Sequence, residues 1–314
     1  MTIPDSATNR SLSRAEIRAT VKHLRTEVDG TVFLVKFAVF LVLTGLGGVL
    51  AMQSFLAAQI GGTILLGLMF AHAAELQHQT LHSLGLRNRA ANTAAGVALG
   101  IPMLISFAAY RASHLRHHRD LGTPQNREFF DYGDQYGSGT ARSRWAVPFS
   151  WLVRFSMFHH YLAFCRNEVR ALRGADMEGE NATTSRRIRR DHHVILAVVA
   201  VLAAVSAVTD PLLILRVWVI PLVLVAAPVH AAIELPEHFR CETLDQDPFA
   251  NTRTIRSNRL MMWFTNGNNF HVEHHLMPNL PIERLPDLHA EVSDSLRYYH
   301  RSYVRYFRDL VKGR

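Results

Sequence analysis

Eight histidines of this 314-residue chain fall into three short clusters whose spacing suits metal binding. The clusters read His78-Gln-Thr-Leu-His82, His114-Leu-Arg-His117-His118 and His271-Val-Glu-His274-His275. Positions i and i+4 of a helix share one face, as do i, i+3 and i+4, so each cluster can direct its rings toward one point. Imidazole is the commonest protein ligand of redox transition metals. The three clusters therefore predict a multi-histidine metal site, and one that holds two ions.

Long apolar stretches flank the clusters and predict membrane crossings. No Lys, Arg, Asp or Glu occurs from Phe37 to Ala71 or from Val194 to Thr209, and only Arg216 interrupts Leu212 to Ile233. About 20 apolar residues are enough to cross a bilayer as a helix. Glycines and glutamines near the middle of the first stretch, and Thr209-Asp210-Pro211 in the second, indicate turns. The sequence thus predicts four crossings in two hairpins, at about 33–52, 56–76, 194–209 and 212–233.

The predicted fold is an all-α membrane protein with four transmembrane helices in two hairpins and a cytoplasmic helical cap that carries the histidine clusters. We expect one domain over residues 1–314. Its predicted parts are a cytoplasmic N-terminal segment (1–30), hairpin one (31–76), the first two clusters with the cap (77–193), hairpin two (194–233) and a cytoplasmic segment with the third cluster (234–314). A soluble helical core is the less favoured alternative, because polar turns and charged flanks bound both hairpins.

Basic residues orient the predicted crossings. Arg10, Arg14 and Arg18 precede the first crossing, and arginines are dense from Arg111 to Arg190 and again after Arg240. By the positive-inside rule, both termini and all three clusters face the cytoplasm of a multi-pass protein in the cell membrane. Topology and anionic lipid account for the net charge of +8, so it does not indicate nucleic-acid binding. Cys165 and Cys241 lie on the predicted cytoplasmic side, where a disulfide is not expected.

Residues 90–109 are also apolar, but a fifth crossing there would contradict a shared metal site. It would hold the first and second clusters about 30 Å apart, on opposite faces of the membrane. We therefore expect this segment to re-enter or to lie along the interface, with Gly96, Gly100 and Pro102 helping it to bend. A second interfacial helix is predicted near Trp145 to Cys165, where aromatic residues alternate with arginines.

The order HxxxH, HxxHH and HxxHH resembles the integral-membrane fatty acid desaturase and hydroxylase superfamily. The flank of the third cluster, Asn268-Asn269-Phe270-His271-Val272-Glu273-His274-His275-Leu276-Met277-Pro278, is similar too, and the resemblance runs from about Phe70 to His289. It implies two non-haem iron ions, dioxygen as co-substrate and a further histidine ligand before the third box, which matches His238 here. The ligands implied by the resemblance are His78, His82, His114, His117, His118, His238, His271, His274 and His275.

Three polar residues near the boxes are candidates either to ligate a metal or to hydrogen-bond a ligand histidine. Several members of the superfamily that this chain resembles carry an asparagine where this chain has Glu234, and we expect Glu234 either to ligate iron or to hydrogen-bond a ligand histidine. Glu75 precedes His78 by three residues, and either orients that imidazole or lies in solvent at the membrane edge. Asn269 is a weaker candidate for an orienting role. No catalytic residue beyond the metal ligands is predicted.

The remaining histidines favour other roles. His72 and His230 lie in apolar surroundings, where helix packing is favoured over function. The pairs His159-His160 and His192-His193 are expected to be interfacial or solvated, and His23, His289 and His300 to lie on the surface.

The resemblance implies an enzyme that desaturates a fatty-acyl or lipid-like substrate. A hydroxylase of a lipid, a carotenoid or a small amphiphilic metabolite is the alternative on the same scaffold. A zinc-dependent membrane hydrolase is less favoured, because such sites keep three protein ligands, and a metal transporter would need ligands within the crossings. The sequence has no fused haem module, so a separate ferredoxin-like or cytochrome b5-like protein with its reductase is expected to deliver electrons.

Overall fold

The computed structural model describes residue 19 and residues 21–126 and 146–312. Some predictions from the sequence concern residues outside these ranges, namely Arg10, Arg14, Arg18 and Trp145. The helices are α1 Gly30–Ala51, α2 Leu56–Leu81, α3 Arg89–Gly100, α4 Phe107–Asp120, α5 Ala146–Phe155, α6 Phe158–Leu172, α7 Ala182–Thr209, α8 Leu215–Glu237, α9 Pro248–Asn251, α10 Arg259–Phe264, α11 His271–Leu276, α12 Leu285–Val292 and α13 Tyr303–Val311. The strands are β1 Arg253–Ile255 and β2 Tyr298–His300.

Four of the described helices, α1, α2, α7 and α8, are long and apolar enough to cross a membrane. The prediction of four such helices is confirmed. Apolar side chains such as Val42, Val49 and Val208 are exposed on their surfaces, as expected of helices that face lipid. Helix α8 is irregular, since it begins with π-helical Leu215–Val219 and Leu222–Ala226 and ends in the 3₁₀ turn Leu235–Glu237.

Helix α2 runs further than the predicted crossing and carries the first histidine box at its end. The end of this helix is polar, yet Glu75, Gln77 and Thr80 are buried in protein. The Gln77 side chain donates to Gly96 O at 2.9 Å, and the Asn92 side chain donates to Thr80 O at 2.8 Å. These two bonds join the end of α2 to α3, so the helix continues past the point where hydropathy alone predicted its end.

Close helix packing places α2 at the centre of the bundle. A side-chain carbon added at Gly62 would lie 2.3 Å from Ala51 N, and one added at Gly67 would lie 2.3 Å from Val225 Cβ. Both distances are shorter than real contacts, so α1 and α8 approach α2 closely because these positions are glycines. The box-bearing helix is therefore held from both sides.

The apolar segment after the first box is bent, as its composition indicated. Helix α3, with the 3₁₀ turn Ile101–Met103, meets α4 at an angle of 98°. Leu104 adopts the left-handed region with φ 58° at the bend. Asp191 on α7 accepts hydrogen bonds from Ala108 N at 2.8 Å and from the Ser106 hydroxyl at 3.1 Å, which fixes the start of α4. This bend returns the second box to the first; whether the segment enters the membrane remains a prediction.

Residues 238–312, called here the cap, contain two short strands beside short helices, whereas the sequence predicted that the part carrying the histidine clusters is all helical. Strands β1 and β2 pair in parallel, with Arg253 opposite Tyr298. An apolar cluster that includes Val272, Leu276 and Leu285 packs α11 against α12. This cluster fixes the short helix that carries the third box. The small sheet was missed because three-residue strands have no readable periodicity.

Candidate metal centre

The three boxes and His238 come from four different parts of the fold. His78 and His82 lie at the end of α2, and the second box occupies the last two turns of α4. The third box is the short helix α11, and His238 directly follows α8. The structure brings all nine histidines proposed as ligands together, in two adjacent groups.

The first group, called here the five-histidine group, is centred on His114. The Nε2 atom of His114 lies 2.9 Å from that of His78, 2.8 Å from that of His82 and 2.9 Å from that of His118. His118 Nε2 also lies 2.9 Å from His274 Nε2. Five nitrogens, from His78, His82, His114, His118 and His274, thus converge at one place.

The second group, called here the four-histidine group, contains His117, His238, His271 and His275. The Nε2 atom of His271 lies 3.0 Å from that of His238 and 3.1 Å from that of His275. His117 Nε2 lies 3.2 Å from His275 Nε2. Glu237 Oε2 is also 3.2 Å from His271 Nε2, which makes this carboxylate a neighbour of the group that sequence reasoning missed.

The nitrogen spacing in both groups fits a bound metal. A metal–nitrogen distance of about 2.1 Å and right-angled ligands give neighbouring nitrogens about 3 Å apart. Nδ1 of His238 faces the Asn251 carbonyl at 3.0 Å, and Nδ1 of His78 faces Asn268 Oδ1 at 2.8 Å. Nδ1 of His238 and Nδ1 of His78 therefore each donate a hydrogen bond to an oxygen outside the histidine groups. The Nε2 lone pairs of these two rings then face other imidazole nitrogens. A cation between these lone pairs converts mutual repulsion into ligation, so we interpret the groups as a metal-binding site.

Burial keeps these imidazoles in the neutral form that a metal requires. Burial, together with repulsion from His78 and Arg111, lowers the pKa of His82 to about 3. Burial and then the neighbouring histidines hold the pKa values of His271, His274 and His275 well below the usual range. No proton has to leave these rings before a metal binds at neutral pH.

Glu75 lies beside the five-histidine group and contacts it through an asparagine. The Asn268 side chain donates to Glu75 Oε2 at 2.6 Å and accepts at Oδ1 from His78 Nδ1. The structure thus gives Glu75 a buried place from which it orients His78, rather than a place in solvent. Asn268, and not the predicted Asn269, makes this link.

Asn269 has a different role, which corrects the expectation for it. Its side-chain amide donates to the carbonyl oxygens of Ile255 and Arg256, and its Oδ1 accepts from Thr265. The two asparagines are adjacent, and the turn before α11 points one toward the metal groups and the other toward β1. Sequence alone offered no signal to choose between them.

Glu234 contacts His230 and Tyr110. Glu234 Oε1 lies 3.3 Å from His230 Nε2 and accepts from the Tyr110 hydroxyl at 3.4 Å. His230 Nδ1 lies 3.5 Å from Glu75 Oε1. Packing was the favoured expectation for His230, but the structure places it between two carboxylates.

Several other histidines also differ from expectation. His192, predicted to be interfacial or solvated, is buried and pairs with Glu168 at 2.9 Å. His289, predicted to be on the surface, contacts Glu273 of the third box, which also accepts from the Thr254 hydroxyl at 2.6 Å. His72 does pack, since its ring stacks on Trp263 with centroids 4.4 Å apart. Long-range partners decide these roles, and local sequence does not reveal them.

A cavity of about 430 Å³ adjoins both groups. Its lining includes box histidines, among them His78, His117 and His271, and apolar side chains such as Phe164, Met177 and Ile188. A substrate in this space would lie against the metal-binding nitrogens with part of its length on apolar walls.

The sequence model of the family described as fatty acid desaturase matches residues 54–307, about four fifths of the chain. No curated protein matches the chain.

Proposed function

Because this chain belongs to the fatty acid desaturase family, an oxidoreductase family, we propose that it is a membrane di-iron oxidase. It uses dioxygen and external electrons to desaturate a lipid-like substrate. The observation that carries this proposal is the clustering of imidazole nitrogens beside a cavity: eight lie in two groups of four, and that of His118 lies 2.9 Å from those of His114 and His274. One zinc of a hydrolase would need about three protein ligands, so two groups of four and five favour a two-metal oxidase.

The overall reaction balances with one dioxygen and two electrons. The substrate loses two hydrogens from neighbouring carbons, two protons and two electrons are taken up, and dioxygen leaves as two waters. Two iron ions, when bound, would supply the reduction of dioxygen and the removal of hydrogen from an unactivated carbon. The nine histidines would hold them, and the electrons would come from a separate ferredoxin-like or cytochrome b5-like carrier with its reductase.

The chain itself contributes position and shielding. The outward contacts of His78 and His238 fix the direction of their rings, because each Nδ1 is held by an oxygen at 2.8 or 3.0 Å. The apolar side chains that line the cavity, such as Phe164, Met177 and Ile188, would hold the substrate so that one carbon–hydrogen bond lies near the metals. Five of the eight box histidines (His78, His114, His271, His274 and His275) are buried, which limits access of water to the same region.

The proposed topology places both termini and the metal site on the cytoplasmic side of the cell membrane. Its support is the distribution of basic residues, together with the position of both histidine groups near the ends of α2 and α8. A soluble electron carrier of that compartment could then reach the site.

The test is to purify the protein in detergent, load it with iron and supply lipid extracts, an electron-transfer chain and labelled dioxygen. We expect two irons per chain and an oxygen-dependent product that has lost two hydrogens and carries no label. A product that carries labelled oxygen would instead identify a hydroxylase. Turnover without oxygen, or one zinc per chain in the active protein, would contradict the proposal.

A further inference from the structure

A buried histidine on the wall of the cavity belongs to neither histidine group. His192 of α7 lines the cavity and is 2% exposed. Its Nδ1 lies 2.9 Å from Oε2 of Glu168 on α6. Phe164, one helical turn before Glu168, stacks on the imidazole with ring centroids 4.9 Å apart. The carboxylate and the phenyl ring together fix the position and the plane of this imidazole.

The bond to Glu168 leaves the second ring nitrogen of His192 for another partner. An ionised carboxylate only accepts hydrogen bonds, so the hydrogen of this bond lies on Nδ1, and Nε2 of the neutral ring is an acceptor. No residue that the structure describes donates a hydrogen bond to Nε2. Because His192 lines the cavity, a group that occupies the cavity can be that donor.

The side chains beside His192 on the cavity wall are apolar. Phe164 stacks on its ring, and Ile188 precedes it by one turn of α7; both line the cavity. Pockets of this kind hold a ligand on apolar surface and fix its orientation with a few placed polar atoms. Nε2 of His192 is in the position of such an atom.

Helix packing alone does not explain the pair of His192 and Glu168. A clamp between α6 and α7 would need the bond at Nδ1, but it gives no reason for the imidazole to line a cavity. Oε1 of Glu168 is buried and makes no hydrogen bond within the described part of the chain, so apolar side chains of similar size would join the two helices as well or better. A carboxylate that holds an imidazole in one orientation is, by contrast, the support that a binding residue needs.

We propose that Nε2 of His192 accepts a hydrogen bond from a hydroxyl group of the substrate, so that the enzyme oxidises an alcohol-bearing amphiphile. This inference rests on the proposed oxidase function. A hydroxyl is the smallest group that donates such a bond, which suits a position beside Phe164 and Ile188. Glu168 is then a positioning residue, because it holds the ring without touching the substrate.

This hydrogen bond would also select the carbon that reacts. Box histidines such as His78 line the same cavity as His192. An amphiphile anchored at His192 by its hydroxyl would therefore present a carbon at a fixed distance along its chain to the metal site. An ether or an ester lacks the donated hydrogen and would leave Nε2 without a partner.

The test compares 1-decanol with its isomer nonyl methyl ether, which has the same size but no hydroxyl hydrogen. Each compound displaces tritiated 1-decanol from the iron-loaded protein, immobilised in a neutral detergent at pH 8 without reductant. His192→Asn retains an amide that can donate to Glu168 but removes Nε2, and we expect it to lower the ratio of decanol affinity to ether affinity by about tenfold. His193→Asn, at the exposed neighbour, should leave this ratio unchanged. Partition into detergent is the same for both variants and cancels when their ratios are compared.

A second measurement uses the wild-type protein, so that it does not depend on the folding of a variant. Diethyl pyrocarbonate modifies accessible neutral imidazole nitrogens, and peptide mass spectrometry locates the modified residue. We expect 1-decanol, at about ten times its dissociation constant, to slow modification of His192 by about tenfold. Modification of exposed His193 should keep its rate.

Three results would overturn the inference. The affinity ratio could be unchanged in folded His192→Asn, His192 could fail to react where His193 reacts, or decanol could leave the rate at His192 unchanged. Neither measurement involves turnover. A protein that binds decanol at His192 but does not reduce dioxygen would therefore refute the proposed oxidase and not this hydrogen bond.

Discussion

The two histidine groups are similar in composition but are built by different parts of the molecule. Long helices α2 and α4 supply all of the five-histidine group except His274. The four-histidine group takes only His117 from a long helix and draws the rest from the short helix α11 and the turn after α8. The first group thus depends on the helical bundle and the second on the cap, so a change in the cap should affect one metal more than the other.

Removing one ligand from each group is the strongest way to test this difference. We expect His274→Ala and His117→Ala each to reduce turnover to background, because each deletes one imidazole from a different group. Iron should fall toward one per chain in both variants, measured by elemental analysis beside product formation. His193→Ala, at an exposed histidine on α7, is the control. Full iron and normal turnover in either ligand variant would contradict the assignment.

The adjacent asparagines Asn268 and Asn269 have different roles. Asn268 orients a ligand histidine, whereas Asn269 supports the fold. Asn268→Ala removes the contacts to His78 and Glu75, and outer partners of this kind affect metal affinity or activity by about 10–100-fold. Asn269→Ala removes bonds to the backbone of β1 and its neighbour, so we expect reduced thermal stability with nearly normal activity per bound iron. Equal loss of specific activity in both variants would show that the two side chains are not distinguished in this way.

Arg253 tests whether the cap maintains the four-histidine group. Its buried guanidinium donates to the carbonyls of Pro236 and Phe239, on either side of His238, at 2.5 and 2.8 Å. Arg253→Lys keeps the charge but loses the forked donor, and we expect a loss of about 2 kcal/mol in the free energy of unfolding. Thermal unfolding and iron content measure the effect, with exposed Arg256→Lys as the matched control. An unchanged iron content would show that Arg253 does not maintain the four-histidine group.

The smallest expected effect concerns His160, which lines the cavity and contacts Met103 O, in the 3₁₀ turn after α3, at 3.2 Å. Burial lowers the pKa of His160 to about 4. The unfolded chain therefore binds this proton first, so His160 reduces stability as pH falls from about 6.5 toward 4. His160→Gln should reduce the loss of stability over that range. Denaturant unfolding at several pH values measures this change in the free energy of unfolding. His159→Gln, at the exposed neighbour, should leave the slope as in the wild type.

Much of the architecture was predictable because it depends on local sequence. The four membrane-capable helices follow from runs of apolar residues, and the bend after the first box follows from the need to return His114 to His78. The resemblance carried by the three boxes is confirmed by the family match over residues 54–307. Helix ends were less predictable: α2 continues to Leu81 because buried polar side chains there find partners on α3.

The sequence by itself determined which residues can present imidazoles on one face, because helical spacing relates positions three and four apart. The tertiary structure alone decided how nine histidines divide into five and four, and that Asn268 rather than Asn269 contacts His78. It also decided that Glu75, His230 and Glu234, from two different helices, lie within reach of one another. These are distances between segments far apart in the chain, and they follow from packing, bends and close glycine contacts, which no local pattern encodes.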